Sequence, residues 1–406
     1  MPPEPAPRSF ADDCRATASE LRAALAAVYA DVGADAARPQ VVARRFRLNK
    51  NLTWKIAKVL QSTDPLETVP LVPGSEGMGL IVGAMLQAGA SPAVIARLRN
   101  AMADFERMIE LHVGDRQTLE ILMDGLGQGR SIEMSRKIAF RGNSGVWGLQ
   151  ARLRTMAAVL APNPQRPDYL DMALMAGMFD IRRLRPVQGW PIFRFRHDLS
   201  PPKEGARVRE TEPLEAPRTP EDPLFIMRSW CVPNDAGVRS VQIGSEVVHE
   251  LQEGPVGRTG EVTLVFGHHE RAAVPRYGGA PGEMGELSAL VSIPVETLVQ
   301  DVLLHRDIAD DFEPEVRVYG RPFGMTALDP RTRENYRLPI TERLERLGPI
   351  PESLWTEHMP RHVELMQSIF ARCGWNPKDF VGVRLQLQYP PMPSTAIIRY
   401  RLPTRA

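Results

Sequence analysis

The sequence has few of the features that identify secreted, metal-binding or membrane-spanning proteins. Its three cysteines, Cys14, Cys231 and Cys373, lie far apart and form no CxxC pair, so neither a disulfide framework nor a cysteine zinc site is indicated. No segment reaches about eighteen uninterrupted apolar residues, and the N-terminal residues contain no apolar run of the kind that a signal peptide requires. We therefore expect a soluble, cytoplasmic protein with reduced thiols.

An overall excess of charge is also missing, as are the common catalytic and nucleotide-binding motifs. The 50 Lys and Arg residues nearly balance the 49 Asp and Glu residues, for a net charge of +1, so nucleic-acid binding would require a local basic patch. The chain contains no GxSxG, HExxH or GxGxxG motif. Gly74, Gly77 and Gly79 have the order GxxGxG without a preceding strand, which favours a close-packed turn over a phosphate-binding loop. No cofactor is predicted.

Lysine is scarce, but its distribution is uneven. Of six lysines in the chain, Lys50, Lys55 and Lys58 lie within residues 38–62, a stretch with seven Lys or Arg residues and no acid. Phosphate binding requires such a local excess of cations, because each neutralised phosphate releases condensed counterions. The alternative is a basic, solvated surface on an ordinary helical hairpin.

The same stretch has the periodicity of two short helices separated by a turn. A first apolar stripe consists of Val41, Val42 and Phe46, and a second consists of Leu52, Ile56, Val59 and Leu60, at spacings of three and four residues. Asn49 is placed as the N-cap of the second helix. Residues 12–30 have the pattern of a preceding helix, which would supply the third helix needed to bury the apolar faces.

Residues 39–61 resemble the helix-turn-helix of bacterial DNA-binding regulators. The resemblance rests on Ala43, where the second helix approaches the first, on Leu48 in the turn, and on the aliphatic second helix. Two residues depart from that pattern: Arg47 stands where such turns usually carry Gly, which predicts a left-handed backbone or a longer turn, and Thr53 stands where an aliphatic side chain is common. The resemblance implies binding to double-stranded DNA, transcription regulation and a homodimer.

The candidate DNA-contacting residues lie opposite the apolar stripe when about 100° is allowed for each residue. Asn51 and Gln61 suit adenine edges and Trp54 suits a thymine methyl group, whereas the cations suit phosphates. In a rotated helix, Trp54 would instead be a core residue. The predicted contacts are Arg44, Arg45, Arg47, Lys50, Asn51, Trp54, Lys55, Lys58 and Gln61.

The remaining sequence predicts a multidomain fold. Residues 9–62 form the predicted helix-turn-helix domain, and residues 63–161 form a helical packing or dimerisation region. Within the latter, helices over 91–126 are either core or a dimer surface, and 131–161 is again mostly helical in pattern. Prolines at 162–167 predict a domain boundary.

Residues 168–406 predict an α+β domain with a mostly antiparallel sheet that binds a ligand or a partner. Helices are expected at 295–304 and 354–372, and the Pro-rich segment 199–223 is expected to be linker-like or a long excursion between strands. The strand candidates are residues 169–184, 190–197, 224–231, 238–250, 261–266, 287–293, 315–319, 380–389 and 395–402.

Three polar groupings in this half resemble metal or catalytic sites only superficially. His268 and His269 follow the strand candidate that ends at residue 266 and are expected at its end, where adjacent side chains point to opposite faces. His358 and His362 have helical spacing but lack the Glu that zinc proteases carry after the first His. The acidic residues from 310 to 315 lack the central Gly of a calcium loop. No metal site is predicted.

The leading hypothesis is therefore a DNA-binding transcriptional regulator with a C-terminal sensing or partner-binding domain. One alternative is a structural, scaffold or assembly protein without DNA binding. Another is an enzyme that uses the C-terminal domain, although no motif supports a particular reaction.

Overall fold

A computed structural model describes residues 9–116, 118–119, 123, 130–187, 189–196, 210–244, 246–280, 282–309, 312–320 and 330–405. The chain divides into two compact units, residues 1–132 and 133–406. The first unit is helical, and the second combines helices with mostly antiparallel sheets. The predicted multidomain fold class, with an all-α N-terminal part and an α+β C-terminal part, is therefore confirmed.

Two of the longer helices in the N-terminal unit begin at residues that favour a helix start. The Ser9 side chain accepts a hydrogen bond from the backbone N–H of Asp12 at the start of the first helix. Pro92 occupies the first turn of the helix that begins after Ser91, at the start of the stretch 91–126 that is predicted to be helical. The helices are α1 Phe10–Asp31, α2 Pro39–Arg45, α3 Lys50–Gln61, α4 Pro65–Thr68, α5 Ser75–Gln87 and α6 Pro92–His112.

A single hydrophobic core holds these helices together. Leu21 and Leu25 of α1, Ile56 of α3 and Leu98 and Phe105 of α6 are buried in the same cluster. Because residues on both sides of positions 62 and 63 share this core, the predicted division between a 9–62 domain and a 63–161 region is wrong. The helices predicted over 91–126 were expected to be either core or a dimer surface, and the apolar stripe of α6 is core. Most of residues 117–129 lie outside the described residues.

The glycines at 74–79 form neither a phosphate loop nor a simple turn. Gly74 caps α5, and Gly77 and Gly79 lie inside it. A Cβ atom at Gly77 would lie 3.1 Å from the Pro73 Cβ and 3.3 Å from the Leu52 Cδ1, so this glycine lets α5 pack closely.

In the described chain no single helix has the length and apolarity to cross a membrane, and the one consecutive pair that would suffice together, Pro65–Leu71 with Ser75–Gln87, is bent by 96°.

The C-terminal unit contains three sheets. The strands are β1 Leu149–Pro162, β2 Tyr169–Arg183, β3 Trp190–Arg196, β4 Glu210–Pro213, β5 Val238–Ile243, β6 Glu246–Leu251, β7 Val262–Pro275, β8 Met284–Val291, β9 Val295–His305, β10 Glu315–Tyr319, β11 Arg337–Leu338, β12 Glu345–Arg346, β13 Phe380–Gln388 and β14 Ser394–Arg401. In the three sheets the strand orders are β12-β13-β9-β1-β2-β7-β4, β11-β10-β14-β8 and β3-β6-β5. The helices are α7 Arg130–Trp147, α8 Pro330–Glu334 and α9 His362–Cys373.

Two segments predicted to be helical are central strands. The helix predicted over 131–161 ends at Trp147, and Gly148, at φ +71°, leads into β1. The helix predicted over 295–304 is β9, which pairs with β1 in parallel. Both strands are buried along most of their length. A strand covered on both faces has a continuous apolar run, and periodicity cannot distinguish such a run from a buried helix.

The predicted domain boundary at 162–167 is wrong because these residues form the turn of the β1–β2 hairpin. Asn163 organises the turn: its side-chain oxygen accepts hydrogen bonds from the N–H groups of Gln165 at 2.9 Å and Arg166 at 2.7 Å. Its amide nitrogen donates to Asp171 at 2.6 Å. The prolines therefore mark a hairpin connection within one sheet, and the division between units falls at residues 132 and 133.

Four further predictions need correction. Residues 224–231 form a turn and a short 3-10 helix, Arg228–Trp230, with only an isolated bridge from Ile226 to Phe266. The strand predicted over 238–250 is a hairpin, β5–β6, that turns at Gly244 with φ +59°. Of the linker-like 199–223 segment, Glu210–Pro213 is strand β4, and residues 199–209 lie outside the described residues. The helix predicted over 354–372 begins only at His362.

Candidate nucleic-acid interface

The turn between α2 and α3 has the backbone conformation and the N-cap that the sequence predicts. Arg47 adopts φ +53°, the left-handed conformation predicted for a non-glycine residue at this position. The Leu48 N–H donates to the Ala43 carbonyl at 2.9 Å and closes the turn. Asn49 caps α3, its side chain accepting from the Asn51 N–H at 2.8 Å. Two short helices and their turn are thus held by local bonds.

Packing fixes which face of α3 is exposed. Ile56 and Val59 are fully buried, and Ala43 of α2 is buried as well. Thr53, which departs from the usual aliphatic pattern, is also buried, and its hydroxyl donates to the Lys50 carbonyl at 3.0 Å, so its polar group is satisfied. Trp54 is 51% exposed, which excludes the rotated helix with Trp54 in the core.

The predicted DNA-contacting side chains all reach solvent on this hairpin. Within the part of the chain that the structure describes, none of the six predicted DNA-contacting cations pairs with a carboxylate, whereas Arg38, just before α2, lies 3.6 Å from Asp35. The Lys58 Nζ lies 5.6 Å from the centre of the Trp54 ring. The exposed residues are Arg44, Arg45, Arg47, Lys50, Asn51, Trp54, Lys55, Lys58 and Gln61.

Two of these side chains already have structural partners. The Arg45 guanidinium donates to the carbonyls of Gly33 at 2.8 Å and Val32 at 3.0 Å, at the C-terminal end of α1. The Gln61 amide donates to the Ala36 carbonyl at 3.1 Å. These three bonds hold the segment that connects α1 to α2. Sequence spacing could not reveal them because the acceptors are main-chain atoms of a distant turn.

The histidines singled out in the C-terminal unit do not converge. His268 and His269 lie in the middle of β7, which continues to Pro275, and not at a strand end as predicted. His268 packs edge to face against Phe195, whereas His269 contacts Trp375. Burial lowers the pKa of His268 to about 4 and also lowers the pKa of His269. Among the described residues, no group of three or more metal-ligating side chains comes together.

His358 and His362 also have different partners and do not form one site. His358 precedes α9, and its Nε2 is 2.9 Å from the Gln386 amide nitrogen. His362 is the first residue of α9, fully buried, with its Nε2 3.2 Å from Asp301. Of the acidic residues from 310 to 315, Glu315 pairs with Arg399 at 3.1 Å, and Asp310 and Asp311 lie outside the described residues.

Sequence reasoning missed a buried ionic network next to His362. Arg384 of β13 makes two hydrogen bonds of 2.7 Å to the carboxylate of Asp301 on the adjacent strand β9, where the two residues are paired in register. Its guanidinium also donates to the carbonyls of Leu354 and Trp355. The signal in the sequence was a charged residue in the middle of each of two mostly apolar runs, which indicates a buried pair only once the strands are known to be neighbours.

Comparisons with known proteins provide no family. No protein-family model matches the chain, and no curated protein matches it. One solved structure with some similarity is a two-domain M1 zinc metallopeptidase mutant bound to L-tryptophan, with a TM-score of 0.23 and 12% identity over 62% of this chain and 42% of that chain. The chain spans less than half the length of that neighbour. Similarity at this level does not establish a shared fold or function.

Proposed function

We propose that this protein is a DNA-binding transcriptional regulator: the N-terminal unit binds double-stranded DNA through α2 and α3, and the C-terminal unit binds an effector or a partner. The observation that carries the proposal is the exposed face of the α2–α3 hairpin, which presents cations around Asn51 and Trp54 and no acidic residue. A cytoplasmic location and a homodimer are part of the same proposal.

The cations that remain free set the expected electrostatic contribution. Arg45 is engaged with carbonyls of the α1 end, which leaves Arg44, Arg47, Lys50, Lys55 and Lys58 for phosphates. Each neutralised phosphate contributes roughly −0.9 to the slope of log K against log salt. If every free cation contacts one phosphate, the slope is about −4 to −5 for one hairpin.

The residues that would read sequence lie near the start of α3. Asn51 is in the first turn of α3, and the N-terminal residues of a recognition helix are those that usually contact base edges. Trp54 follows on the same exposed face and can contact a thymine methyl group. Gln61, at the other end of α3 and bonded to Ala36, is better suited to positioning the hairpin.

The homodimer needs a surface other than the α6 stripe. Helix-turn-helix proteins commonly read two half-sites as a dimer, but Ile95, Leu98 and Phe105 of α6 are buried within their own unit. We expect sedimentation on a duplex with two half-sites to show two chains per duplex. A stoichiometry of one chain at micromolar concentration would contradict the homodimer and leave the DNA contact itself standing.

The first test of DNA binding is its dependence on salt. We expect fluorescence anisotropy with a labelled random-sequence duplex of about two helical turns to show binding at low salt, because phosphate contacts act on any sequence. The affinity should fall steeply between about 50 and 200 mM salt. An absence of binding at the lower concentration would refute the proposal.

Two substitutions separate positioning from sequence reading. Lys58→Ala should weaken binding to all duplexes and reduce the salt slope by about 1, because one phosphate contact is lost. Asn51→Ala should reduce the preference for a duplex selected from a random library by about 1–3 kcal/mol and leave nonspecific binding nearly unchanged.

The matched control is Lys378→Ala, which removes an exposed lysine from the C-terminal unit. It should alter neither the affinity nor the salt slope. If Lys58→Ala and Asn51→Ala behave like this control while circular dichroism shows intact helices, α3 is not the DNA-contacting element.

A further inference from the structure

The C-terminal unit contains a cavity of about 180 Å³ at the ends of β9 and β14. Leu304 of β9 and Tyr400 of β14 line it, together with Leu170 from the start of β2. Arg276, which follows β7, and Arg401, the last residue of β14, also line it. The cavity therefore combines an apolar floor with guanidinium groups from two different strand ends.

The floor is built from buried, well-packed side chains. Leu170, Leu304 and Phe312 are buried, and the Phe312 ring packs edge to face on Tyr400 at 5.4 Å between centroids. Gly285 lies opposite Tyr400 on β8, and a Cβ atom there would be 2.6 Å from the Tyr400 Cζ, so the glycine leaves room for the ring. An apolar cavity of about 150 Å³ accepts a benzene molecule. The floor has the size for one aromatic ring or a branched aliphatic group.

The two guanidinium groups have no carboxylate partner among the described residues. Arg276 donates one hydrogen bond of 3.2 Å to the main-chain carbonyl of Asp307, and in the described chain no ion pair involves Arg401. The Asp307 carboxylate, on the same rim, lies 3.6 Å from the His305 Nδ1. Guanidinium groups match carboxylates in geometry and can bind them through two parallel hydrogen bonds. The rim thus carries donors that are available to an anionic ligand.

We propose that this cavity binds a small carboxylate with an aromatic or branched apolar body. The body occupies the floor between Leu170, Leu304 and Phe312, and the carboxylate contacts Arg401 and Arg276 at the rim. The contributions are complementary, because the floor excludes water from the ring and the adjacent cations orient the acid group. This inference is independent of DNA binding, since all of its residues lie in the C-terminal unit.

The test uses three fluorinated probes of one shape and different charge: 4-fluorobenzoate, 4-fluorobenzyl alcohol and 4-fluorobenzylamine. Fluorine NMR of each probe with the full-length protein at neutral pH reports binding through line broadening. We expect benzoate to bind at least about tenfold more tightly than the alcohol, because charge-assisted hydrogen bonds act only on the anion, and the amine to bind most weakly. Tighter binding of the amine, or equal binding of all three probes, would overturn the proposal.

Variants assign the binding to this cavity. Arg401→Gln and Arg276→Gln should each weaken benzoate roughly tenfold to a hundredfold and leave the alcohol nearly unchanged. Leu170→Phe, which fills the floor, should abolish binding of both probes. Arg346→Gln, an exposed arginine on β12 outside the cavity, is the matched control and should change neither.

The arginine variants keep the test decisive if Leu170→Phe does not fold, because they lie at the rim. Benzoate affinity equal to that of the unmodified protein in the double variant Arg276→Gln, Arg401→Gln would show that the anion binds elsewhere. An unmodified protein that binds no benzoate at millimolar concentration would equally refute the site.

Discussion

We expect the Arg384→Met substitution to lower the free energy of unfolding of the C-terminal unit by about 3–5 kcal/mol, because it leaves a buried carboxylate without its main partner. Asp301 is fully buried and is held by two hydrogen bonds of 2.7 Å from the guanidinium. A methionine side chain is unbranched and fills most of the space of the arginine stem, so the loss reflects charge and hydrogen bonding more than packing.

The Asp301 pKa provides a second readout. Burial raises the pKa of this carboxyl, but hydrogen bonds from Arg384 and His362 and their charges outweigh burial and hold the pKa below its usual value. Without Arg384, burial dominates and the carboxylate takes up a proton more readily. The difference in stability between the two proteins should therefore be largest at neutral pH and should shrink as the pH falls through the raised pKa of Asp301 in the variant.

Urea unfolding followed by tryptophan fluorescence measures this unit selectively, since every tryptophan except Trp54 lies in it. Arg346→Met, at an exposed position on the neighbouring strand, is the matched control and should cost less than about 0.5 kcal/mol. The double variant Asp301→Asn, Arg384→Met should recover part of the loss, because it removes the unpaired charge. A loss for Arg384→Met no larger than for the control would mean that the pair contributes nothing to stability.

Acidification should also destabilise the C-terminal unit, by several kcal/mol between pH 6.5 and 4. Burial lowers the pKa of His249 from 6.5 to about 4 and that of His268 likewise to about 4. Between pH 6.5 and about 4 these two histidines are protonated in the unfolded chain but neutral in the folded chain. Their contribution to stability is therefore full above pH 6.5 and is lost as the pH falls. Each histidine contributes about 3 kcal/mol at the low end, from about 1.4 kcal/mol per pKa unit.

The His249→Phe substitution tests the source of this pH dependence. The His249 ring stacks on Phe266 at 4.7 Å and is fully buried, so a phenyl ring keeps the contact and removes the titrating group. The unmodified protein should lose free energy of unfolding when the pH is lowered from about 7 to about 5. In this variant the loss should be smaller by about 2 kcal/mol. His268→Phe should act similarly, and the double variant should show both reductions. An unchanged difference in the double variant would assign the acid sensitivity to other groups.

Local chemistry alone was enough to predict the α2–α3 hairpin. The Asn49 cap, the left-handed Arg47 and the spacing of Ile56 and Val59 involve residues within a few positions of one another, and they act in the same way whatever surrounds them. The exposed side of α3 follows directly from that spacing. The early helix α1, the start of α6 at Pro92 and the α+β character of the second half were predictable for the same reason.

Tertiary structure decided what local patterns leave open. Residues 149–162 and 295–305 are strands because each pairs with a neighbouring strand along both of its edges and is buried on both faces. An apolar run of that kind has no periodicity of its own. Arg45 is engaged because the chain folds the end of α1 against it. The pairing of Asp301 with Arg384 and the cavity beside Arg276 and Arg401 exist only because the sheets bring together strands that are far apart in sequence. Sequence spacing does not reveal which strands pair, because the hydrogen bonds that align strands are made by the backbone, which is the same for nearly every residue.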